Sequence, residues 1–369
     1  MERAHRGVCQ GIPFVTGKVT GFPEKTGLTK DGCAIFPIMN RRDFLLRSGA
    51  AASFGLFARS ALFGQPISTG PAPGSTGPQI KPSPPGSTGP LIQAPTPITE
   101  FRSLRRNVGC FTGRGGKIGW LASSAALVAV DTQFPDTAAI FLKDLPGRNG
   151  RGMDAVINTH HHGDHTGGNG IFKPVTKTIV AHANVPALML AAAKRSPSAA
   201  IPTVPNETFP DSWRHDFGDE TIAARYFQPA HTSGDIVVHF EKANVVHTGD
   251  LVFNRIYPVI DRAAGGRFQS WLTTVEAIVK TYPADAIYIF GHGSQKFGVT
   301  GGHPDILAFR DYVAALLAYV GKEIKAGKTR DEITKLDNLP GFPDLHVPPG
   351  PGNRLAGNLG AAYDELASS

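Results

Sequence analysis

The sequence predicts an α/β protein in which β-sheets pack face to face and helices cover the outside. Two observations support this class. The chain has 369 residues, of which 41% are hydrophobic, so it is long enough to bury a substantial core. From residue 98 onward, strand and helix patterns alternate, and the strand patterns form two β-rich halves. Layers of this kind bury the apolar faces of both element types.

Short apolar runs bounded by Gly and small polar residues predict strands at residues 107–112, 117–122, 125–130, 154–158, 177–181, 221–226, 235–240, 244–247 and 286–290. Helical spacing of apolar residues predicts helices at residues 135–145, 185–194, 268–282 and 305–325, and weaker ones at 330–337 and 356–367.

Residues 39–65 resemble a twin-arginine export signal. Arg41 and Arg42 precede an uncharged stretch rich in Ala, Gly and Phe, which small residues follow. Because such signals begin near the initiator, we expect Met39 to be the true start and residues 1–38 to be a misassigned extension. The alternative is a short amphipathic helix with a chance arginine pair. A chain with this signal is expected in the periplasm or outside the cell.

Residues 66–97 have the composition of a disordered linker. They hold ten of the chain's 30 prolines and repeat Ser-Thr-Gly-Pro three times. Such a segment cannot bury enough apolar surface to order itself. We therefore expect one folded domain at residues 98–369.

The net charge of +7 does not indicate a nucleic-acid partner. Residues 1–65 hold nine Lys/Arg against four Asp/Glu, whereas residues 98–369 hold 27 against 26, so the predicted domain is nearly neutral. Only Cys110 lies in that domain, which excludes a disulfide framework within it. The sequence contains no run of 18 apolar residues, so we predict no integral membrane segment. The expected partner is a small-molecule substrate, and the oligomeric state stays open.

A histidine–aspartate cluster directly follows the strand predicted at 154–158. Within six positions it holds His160, His161, His162, Asp164 and His165. Crowded imidazoles repel and lose hydration unless a cation or hydrogen bonds stabilise them, and imidazole and carboxylate are ligands that divalent metals prefer. His160 and His162 point the same way in an extended segment, whereas His161 points away and is expected to support the site rather than bind metal.

This cluster, in the order His-x-His-x-Asp-His after a strand, resembles the metallo-β-lactamase superfamily. Four further motifs occur in the family's order: Val128-Ala-Val-Asp131-Thr, Pro229-Ala-His231-Thr-Ser-Gly-Asp235, His247-Thr-Gly-Asp250-Leu-Val-Phe and Phe290-Gly-His292-Gly293. The resemblance covers roughly residues 105–300. It implies an αββα sandwich of two mixed β-sheets flanked by helices.

The resemblance also implies a role for each residue. His160, His162 and His231 would bind the first metal; Asp164, His165 and His292 would bind the second; Asp250 would bridge them, and Asp131 would support the site from behind. Two zinc ions per chain are expected, with iron or manganese as alternatives. A hydroxide held between the metals would be the nucleophile, and Asp164 is the expected catalytic proton carrier.

Three functions remain open at this point. The leading hypothesis is an exported dinuclear zinc hydrolase that cleaves an ester, thioester, lactone or amide, in the manner of a β-lactamase. The second is an oxidoreductase with one iron, as in sulfur dioxygenases of this fold, and the third is a non-catalytic metal-binding accessory protein. Asp250 stands where true β-lactamases carry Cys or Ser, so lactam hydrolysis is in doubt. Substrate-binding candidates near the expected mouth are Asn169, Asn254, Arg255, Tyr257, Arg262 and Arg267.

Overall fold

The structure is a computed structural model and describes residues 98–196, 201–343, 345 and 353–368. The predicted extension, export signal and linker (residues 1–97) lie outside the described residues. The strands of the described part are β1 (Glu100–Arg105), β2 (Val108–Thr112), β3 (Ile118–Ala122), β4 (Leu127–Val130), β5 (Met153–Ile157), β6 (Thr176–His182), β7 (Glu207–Phe209), β8 (Ser212–Phe217), β9 (Glu220–Tyr226), β10 (Ile236–Phe240), β11 (Val245–Asn254), β12 (Ile287–Gly293) and β13 (Thr300–Gly301).

The α-helices of the described part are α1 (Pro135–Asp144), α2 (Gly163–Thr166), α3 (Asn169–Phe172), α4 (Val185–Arg195), α5 (Phe268–Thr281), α6 (His303–Lys325), α7 (Arg330–Ile333) and α8 (Arg354–Leu366). No described helix has the length and apolar character that crossing a bilayer requires.

The strands form two mixed sheets. The first has the order β1-β2-β3-β4-β5-β6-β7, with β1 to β4 antiparallel and β4 to β7 parallel. The second has the order β13-β12-β11-β10-β9-β8, in which β11 and β12 are parallel and the other pairs antiparallel.

Three apolar layers hold the domain together. The middle layer lies between the sheets and includes Val130 and Ile157 from the first sheet and Val238 and Ile289 from the second. Outside the first sheet, Phe141 of α1 packs on that sheet's other face. Outside the second sheet, a larger cluster joins α5, α6 and α8 to the strands. The predicted αββα sandwich is confirmed.

The four strands that the sequence patterns did not reveal are β1, β7, β8 and β13, and all four are sheet edges. β1 and β8 are mostly exposed and carry charged side chains. An edge strand packs only part of its surface, and charges there discourage pairing with other chains. The apolar runs that mark the inner strands are therefore missing from the edges.

The strand predicted at 244–247 is longer than expected, because β11 continues to Asn254. Its register against β12 shifts on both sides of Gly249, which has φ +50°. The Thr-Gly-Asp segment is thus an irregularity inside a strand rather than a turn after it. This bulge brings Asp250 to the end of the sandwich where the histidine cluster lies.

Candidate metal centre

The side chains predicted as ligands converge from four separate segments at one end of the sandwich. The segment after β5 carries His160 and His162 and continues into the short helix α2, which carries Asp164 and His165. The loop between β9 and β10 carries His231, while β11 and β12 carry Asp250 and His292. Two groups of potential donors result, His160/His162/His231/Asp250 and Asp164/His165/His292, each with donor atoms within 4.8 Å of one another.

The first group is built around Nδ1 of His162. This atom lies 3.2 Å from Nε2 of His160 and 3.0 Å from Nε2 of His231. His160 and His231 are buried, whereas His162 is partly exposed. His231 is 69 positions from His162 in sequence, so ring nitrogens from two distant segments face one common point.

The second group is built around Nε2 of His292. This atom lies 3.0 Å from Oδ2 of Asp164 and 3.5 Å from Nε2 of His165. Gly291 makes this approach possible, because a Cβ at that position would lie 2.0 Å from Oδ1 of Asp250. The Gly-His pair of the last motif is thus explained by the close passage of β12 against β11.

The carboxylate of Asp250 lies between the two groups. Its Oδ1 is 3.1 Å from Nε2 of His165, and its Oδ2 is 3.5 Å from Nε2 of His292 and 3.6 Å from that of His231. Oδ2 is also 3.9 Å from Nε2 of His160. Although buried, Oδ1 accepts no hydrogen bond from the described residues, because the approach of His165 lacks hydrogen-bond geometry.

Each of four imidazoles uses its other nitrogen to donate outward. His160 Nδ1 lies 3.1 Å from Oγ1 of Thr159, and His231 Nδ1 lies 2.8 Å from the carbonyl of Val259. The remaining two donate to carboxylates: His162 Nε2 to Asp261 at 3.0 Å and His165 Nδ1 to Asp131 at 2.7 Å. These partners assign the tautomers, because carbonyl and carboxylate oxygens accept only, and the Thr159 hydroxyl already donates its proton to Asp131 and so accepts from His160.

This assignment directs unprotonated nitrogens toward one another. A neutral ring that donates outward has only a lone pair on its inward nitrogen, and the inward pairs are 3.0–3.5 Å apart. Converging lone pairs beside a buried carboxylate repel unless a cation or extra protons compensate. Imidazole nitrogens and carboxylate oxygens are the donors that zinc and other first-row divalent metals accept. The donor residues therefore fit divalent metal.

Asp131 supports both groups from behind. Its carboxylate accepts from His165 and, at 2.7 Å each, from the backbone N–H and the hydroxyl of Thr159. Since the Thr159 oxygen also meets His160, this single carboxylate orients one imidazole of each group. Asp131 is buried and has φ +68°, a backbone strain that its side-chain bonds hold in place.

Asp261 is the carboxylate that the sequence reasoning missed. It lies in the loop before α5, and its Oδ2 meets Nε2 of His162 at 3.0 Å and Nε2 of His161 at 3.6 Å. Its backbone N–H donates to the His231 carbonyl, which fixes this loop against the first group. The only local signal was an aspartate that opens a Gly-rich turn, a common pattern in ordinary loops.

His161 lies outside the two donor groups. Its ring nitrogen forms a third group of potential donors with His162 and Asp261, all within 4.8 Å of one another. Its ring is buried, and neither nitrogen has a hydrogen-bond partner among the described residues. Nε2 of His161 lies 3.6 Å from Oδ2 of Asp261. His161 therefore sits beside the first group without entering it.

Two further buried side chains shape the loops that carry donors. Asp235 accepts from both the backbone N–H and the hydroxyl of Thr232 at 2.7 Å, which closes the turn after His231. His247 accepts from the N–H of Gly249 through Nδ1 and donates to the Lys117 carbonyl through Nε2. The β11 bulge before Asp250 is thus pinned by its own strand.

Burial and mutual charge shift the titration of the donors. Burial, reinforced by neighbouring His165, holds the pKa of His160 well below its usual range, and burial beside His162 lowers the pKa of His231 to about 3. Burial alone would raise the pKa of Asp250, but His292 and His165 outweigh it and hold that pKa well below its usual range. His165 differs: burial alone would lower its pKa, but Asp250, Asp164 and Asp131 outweigh burial and raise that pKa well above its usual range. Neutral imidazoles and an ionised carboxylate are the forms that bind metal, so metal in the second group would displace a proton from His165.

The centre opens to solvent on one side. His162, Asp164 and His292 expose 24–27% of their side chains, whereas His160, His165 and His231 are closed off. Arg354, at the start of α8, is near enough for Asp250 and Asp164 to raise its pKa, although burial lowers it overall. Because Arg354 is distant in sequence, no motif indicated it.

Among the predicted substrate-binding candidates, the two asparagines are occupied by the fold. The Asn169 amide donates to Asn158 and to the Thr203 carbonyl, and the Asn254 amide donates to the Gly298 carbonyl. Tyr257 is buried. Neither asparagine has its amide donors directed at the opening.

Comparison with known proteins agrees with this geometry. The family model described as the metallo-beta-lactamase superfamily matches residues 120–292, a range that contains all seven predicted ligands. The two mixed sheets and their outer helices agree with the sandwich fold that the resemblance implied. The match spans less than half of the chain, and it agrees with the resemblance noted in the sequence.

Three similar proteins illustrate the match. A hydroxyacylglutathione hydrolase of Methylococcus capsulatus (strain ATCC 33009 / NCIMB 11132 / Bath) is 33% identical over 131 residues, which span 35% of this chain and 44% of that protein. A double mutant of the sec-alkyl sulfatase PisA1 superposes with a TM-score of 0.57 at 17% identity, covering 72% of this chain and 50% of that one. A metallo-beta-lactamase from Pontibacter korlensis gives a TM-score of 0.49 at 15% identity, covering 59% and 99%.

Proposed function

We propose that this protein is a metal-dependent hydrolase with two divalent ions, and that the ions are zinc. The position of Asp250 carries the proposal, because its carboxylate oxygens lie 3.1–3.9 Å from imidazoles of both donor groups. A buried carboxylate shared in this way suits a pair of ions better than one ion. The sequence contains no Gly-x-Ser-x-Gly motif, which would indicate a serine nucleophile instead.

His160, His162 and His231 would hold one ion, and Asp164, His165 and His292 would hold the other, with Asp250 between them. Bound divalent ions would polarise the substrate's carbonyl or phosphoryl oxygen and make water a nucleophile at neutral pH.

The chain's own residues orient the donors and carry the proton. Asp131 and Asp261 hold the rings of His165 and His162. Asp164 is the proton carrier, because its carboxylate is partly exposed on the open side and contacts Nε2 of His292. Burial alone would raise the pKa of Asp164, but His165 and His292 outweigh burial and lower that pKa, so the carboxylate is ionised at neutral pH.

The substrate class is an ester, thioester, lactone or amide. The similar hydroxyacylglutathione hydrolase favours a thioester or related ester, although the alignment spans only 44% of that relative. A sulfur-dioxygenase-like enzyme with one iron, or an accessory protein that binds metal without catalysis, would use the same donors.

Metal analysis of the purified full chain separates these functions. Two zinc ions per chain and hydrolysis of at least one member of a panel of chromogenic lactams, lactones, esters, thioesters and phosphodiesters are expected. One iron per chain with oxygen consumption would replace the proposal by the oxidoreductase. Loaded metal without turnover of any panel member would favour the accessory protein.

Asp250→Asn tests the shared carboxylate directly. We expect this variant to lose at least one equivalent of metal and its hydrolysis. Asp285→Asn is the matched control, because the Asp285 side chain is 79% exposed and pairs with Arg105. Equal metal content in the two variants would contradict the role of Asp250.

We further propose that the protein is exported to the periplasm or beyond by the twin-arginine route. The Arg41–Arg42 pair and the uncharged stretch after it support this proposal. Cell fractionation of wild type and of an Arg41→Lys/Arg42→Lys variant tests it. Retention of the variant in the cytoplasm is expected, and identical fractionation of the two would overturn the proposal.

A further inference from the structure

A small cavity lies beside the candidate metal centre, between the end of β11, the first half of α6, and residues 341–343 and 345. Its volume is about 210 Å³. The described residues that line it are Phe253, Arg255, Ala308, Phe309, Asp311, Tyr312, Gly341, Phe342, Pro343 and Leu345. We call it the aryl cavity because several aromatic rings line it.

Four of the ten described lining residues are aromatic. Phe253, Phe309 and Tyr312 are buried, and Phe342 meets Tyr312 edge-on with ring centres 5.9 Å apart at 84°. Phe253 and Phe309 lie 6.4 Å apart. Rings in tilted or edge-to-face contact attract one another and would attract a further ring in the same way. An apolar cavity of about 150 Å³ is known to accept benzene, so the size suits one phenyl ring.

Phe253 lies between the aryl cavity and the two donor groups. Its ring stacks on His292 with centres 5.5 Å apart at 14°, and it meets His231 at 5.7 Å and 62°. One aromatic ring thus separates the cavity from an imidazole of each donor group. A substrate whose scissile bond lies at the open side of the centre could place a neighbouring ring in this cavity.

Arg255 stands at the rim in a strained conformation. It has φ +57°, and its guanidinium lies 3.5 Å from Asp305 and 5.1 Å from the ring centre of Phe297. A left-handed backbone at a non-glycine residue is costly and is found disproportionately at binding sites. Arg255 and Asp311 are the charged members of the lining, and their charges balance. The cavity therefore suits an uncharged ring.

We propose that the aryl cavity binds a phenyl-sized aromatic ring of the substrate, so that the protein prefers aromatic esters or thioesters over aliphatic ones. The substrate preference rests on the proposed hydrolase function. The binding of an aromatic ring does not, because the cavity walls are built by the fold and are separate from the donor atoms.

Benzyl alcohol is the probe for binding, with cyclohexylmethanol as its saturated counterpart. Saturation-transfer NMR on the full-length purified protein measures both without any turnover. We expect benzyl alcohol to bind about threefold to tenfold more tightly, because edge-to-face contacts add to burial. Equal binding of the two alcohols would overturn the proposal.

Ala308→Trp fills the cavity, and Ala318→Trp is the matched control because Ala318 is an exposed residue of the same helix. Ala308→Trp should weaken benzyl alcohol binding about tenfold or more, and Ala318→Trp should leave it unchanged. Unweakened binding to a folded Ala308→Trp protein, judged by circular dichroism, would contradict the proposal.

Phe342→Ala enlarges the cavity and keeps the test independent of Ala308→Trp. This variant should shift preference from benzyl alcohol toward 2-naphthalenemethanol, and an unchanged preference would count against the cavity.

In hydrolysis, the ratio of kcat/KM for phenylacetate over acetate esters should fall about tenfold in Ala308→Trp relative to Ala318→Trp. If no ester is cleaved but benzyl alcohol binds as expected, the hydrolase proposal fails while the aryl cavity stands.

Discussion

Oδ2 of Asp261 lies 3.0 Å from Nε2 of His162, on the opposite side of the ring from the Nδ1 that faces His160 and His231. Residues 99 positions apart are thus joined in one support for the first donor group. Such outer carboxylates fix the tautomer and raise the basicity of the ligand they hold.

Replacing Asp261 should therefore weaken metal binding without removing a ligand. We expect Asp261→Ala to lower the affinity of the first group about 10- to 100-fold. Competition with a chromophoric zinc chelator measures this affinity in wild type, Asp261→Ala and the exposed control Asp285→Asn. Affinity equal to that of the control would show that the His162–Asp261 contact does not orient the ligand.

Asp131 should matter for stability as well as for metal. Asp131→Ala leaves the donors of Thr159 and His165 buried and unpaired, so the free energy of unfolding should fall by about 3–5 kcal/mol. Asp131→Asn should cost less, because asparagine tolerates the positive φ and keeps one acceptor. Urea unfolding followed by circular dichroism compares the two, and equal losses would contradict this account.

Substitution of Gly249 should destabilise the fold, because its backbone is left-handed and a side chain there would meet Thr159. A Cβ at this position would lie 2.6 Å from Oγ1 of Thr159, and φ is +50°. We expect Gly249→Ala to reduce the free energy of unfolding by about 2–4 kcal/mol. Gly327→Ala is the control, since φ is +80° there but nothing lies within 4 Å of the added atom. Its cost should be about 1 kcal/mol, from backbone strain alone; similar costs at both positions would rule out the contact with Thr159.

The thiol of Cys110 should be unreactive in the folded protein. Cys110 is buried in β2, and burial raises its pKa from 9.0 to about 12. Between about pH 9 and 12, the Cys110 thiol keeps its proton in the folded state but loses it in the unfolded state. The free energy of unfolding therefore falls as pH rises from about 9 toward 12. In a Cys9→Ser/Cys33→Ser background, Ellman's reagent at pH 8.5 should titrate no thiol until denaturant is added. Rapid labelling of the folded protein would contradict this burial.

Much of the fold and the donor set could be predicted from local patterns. Inner strands such as β5 and β10 carry apolar runs because both their faces are covered. His160 and His162 alternate on one extended segment, so their common direction follows from spacing. The edge strands β1, β7, β8 and β13 carry no such signal, because a sheet edge can be partly exposed and charged.

The supporting residues depended on contacts that no local pattern contains. Asp261 contacts His162 from a loop, and Arg354 lies near the donors at the start of a helix, both far along the chain. A lone Asp or Arg in such a segment most often faces solvent. The role of Gly291 became visible only when β12 was seen to pass directly against Asp250.

The sequence by itself determined which residues can donate to a metal and the layered α/β class, because both follow from residue chemistry and short-range spacing. The resemblance already gave Asp250 a bridging place and Asp131 a supporting one as expectations. Only the tertiary structure decided that Asp261 holds the ring of His162 and that an aromatic cavity adjoins the donor groups. Those relationships arise from close packing between segments distant in sequence, and packing is decided by the whole fold rather than by any one motif.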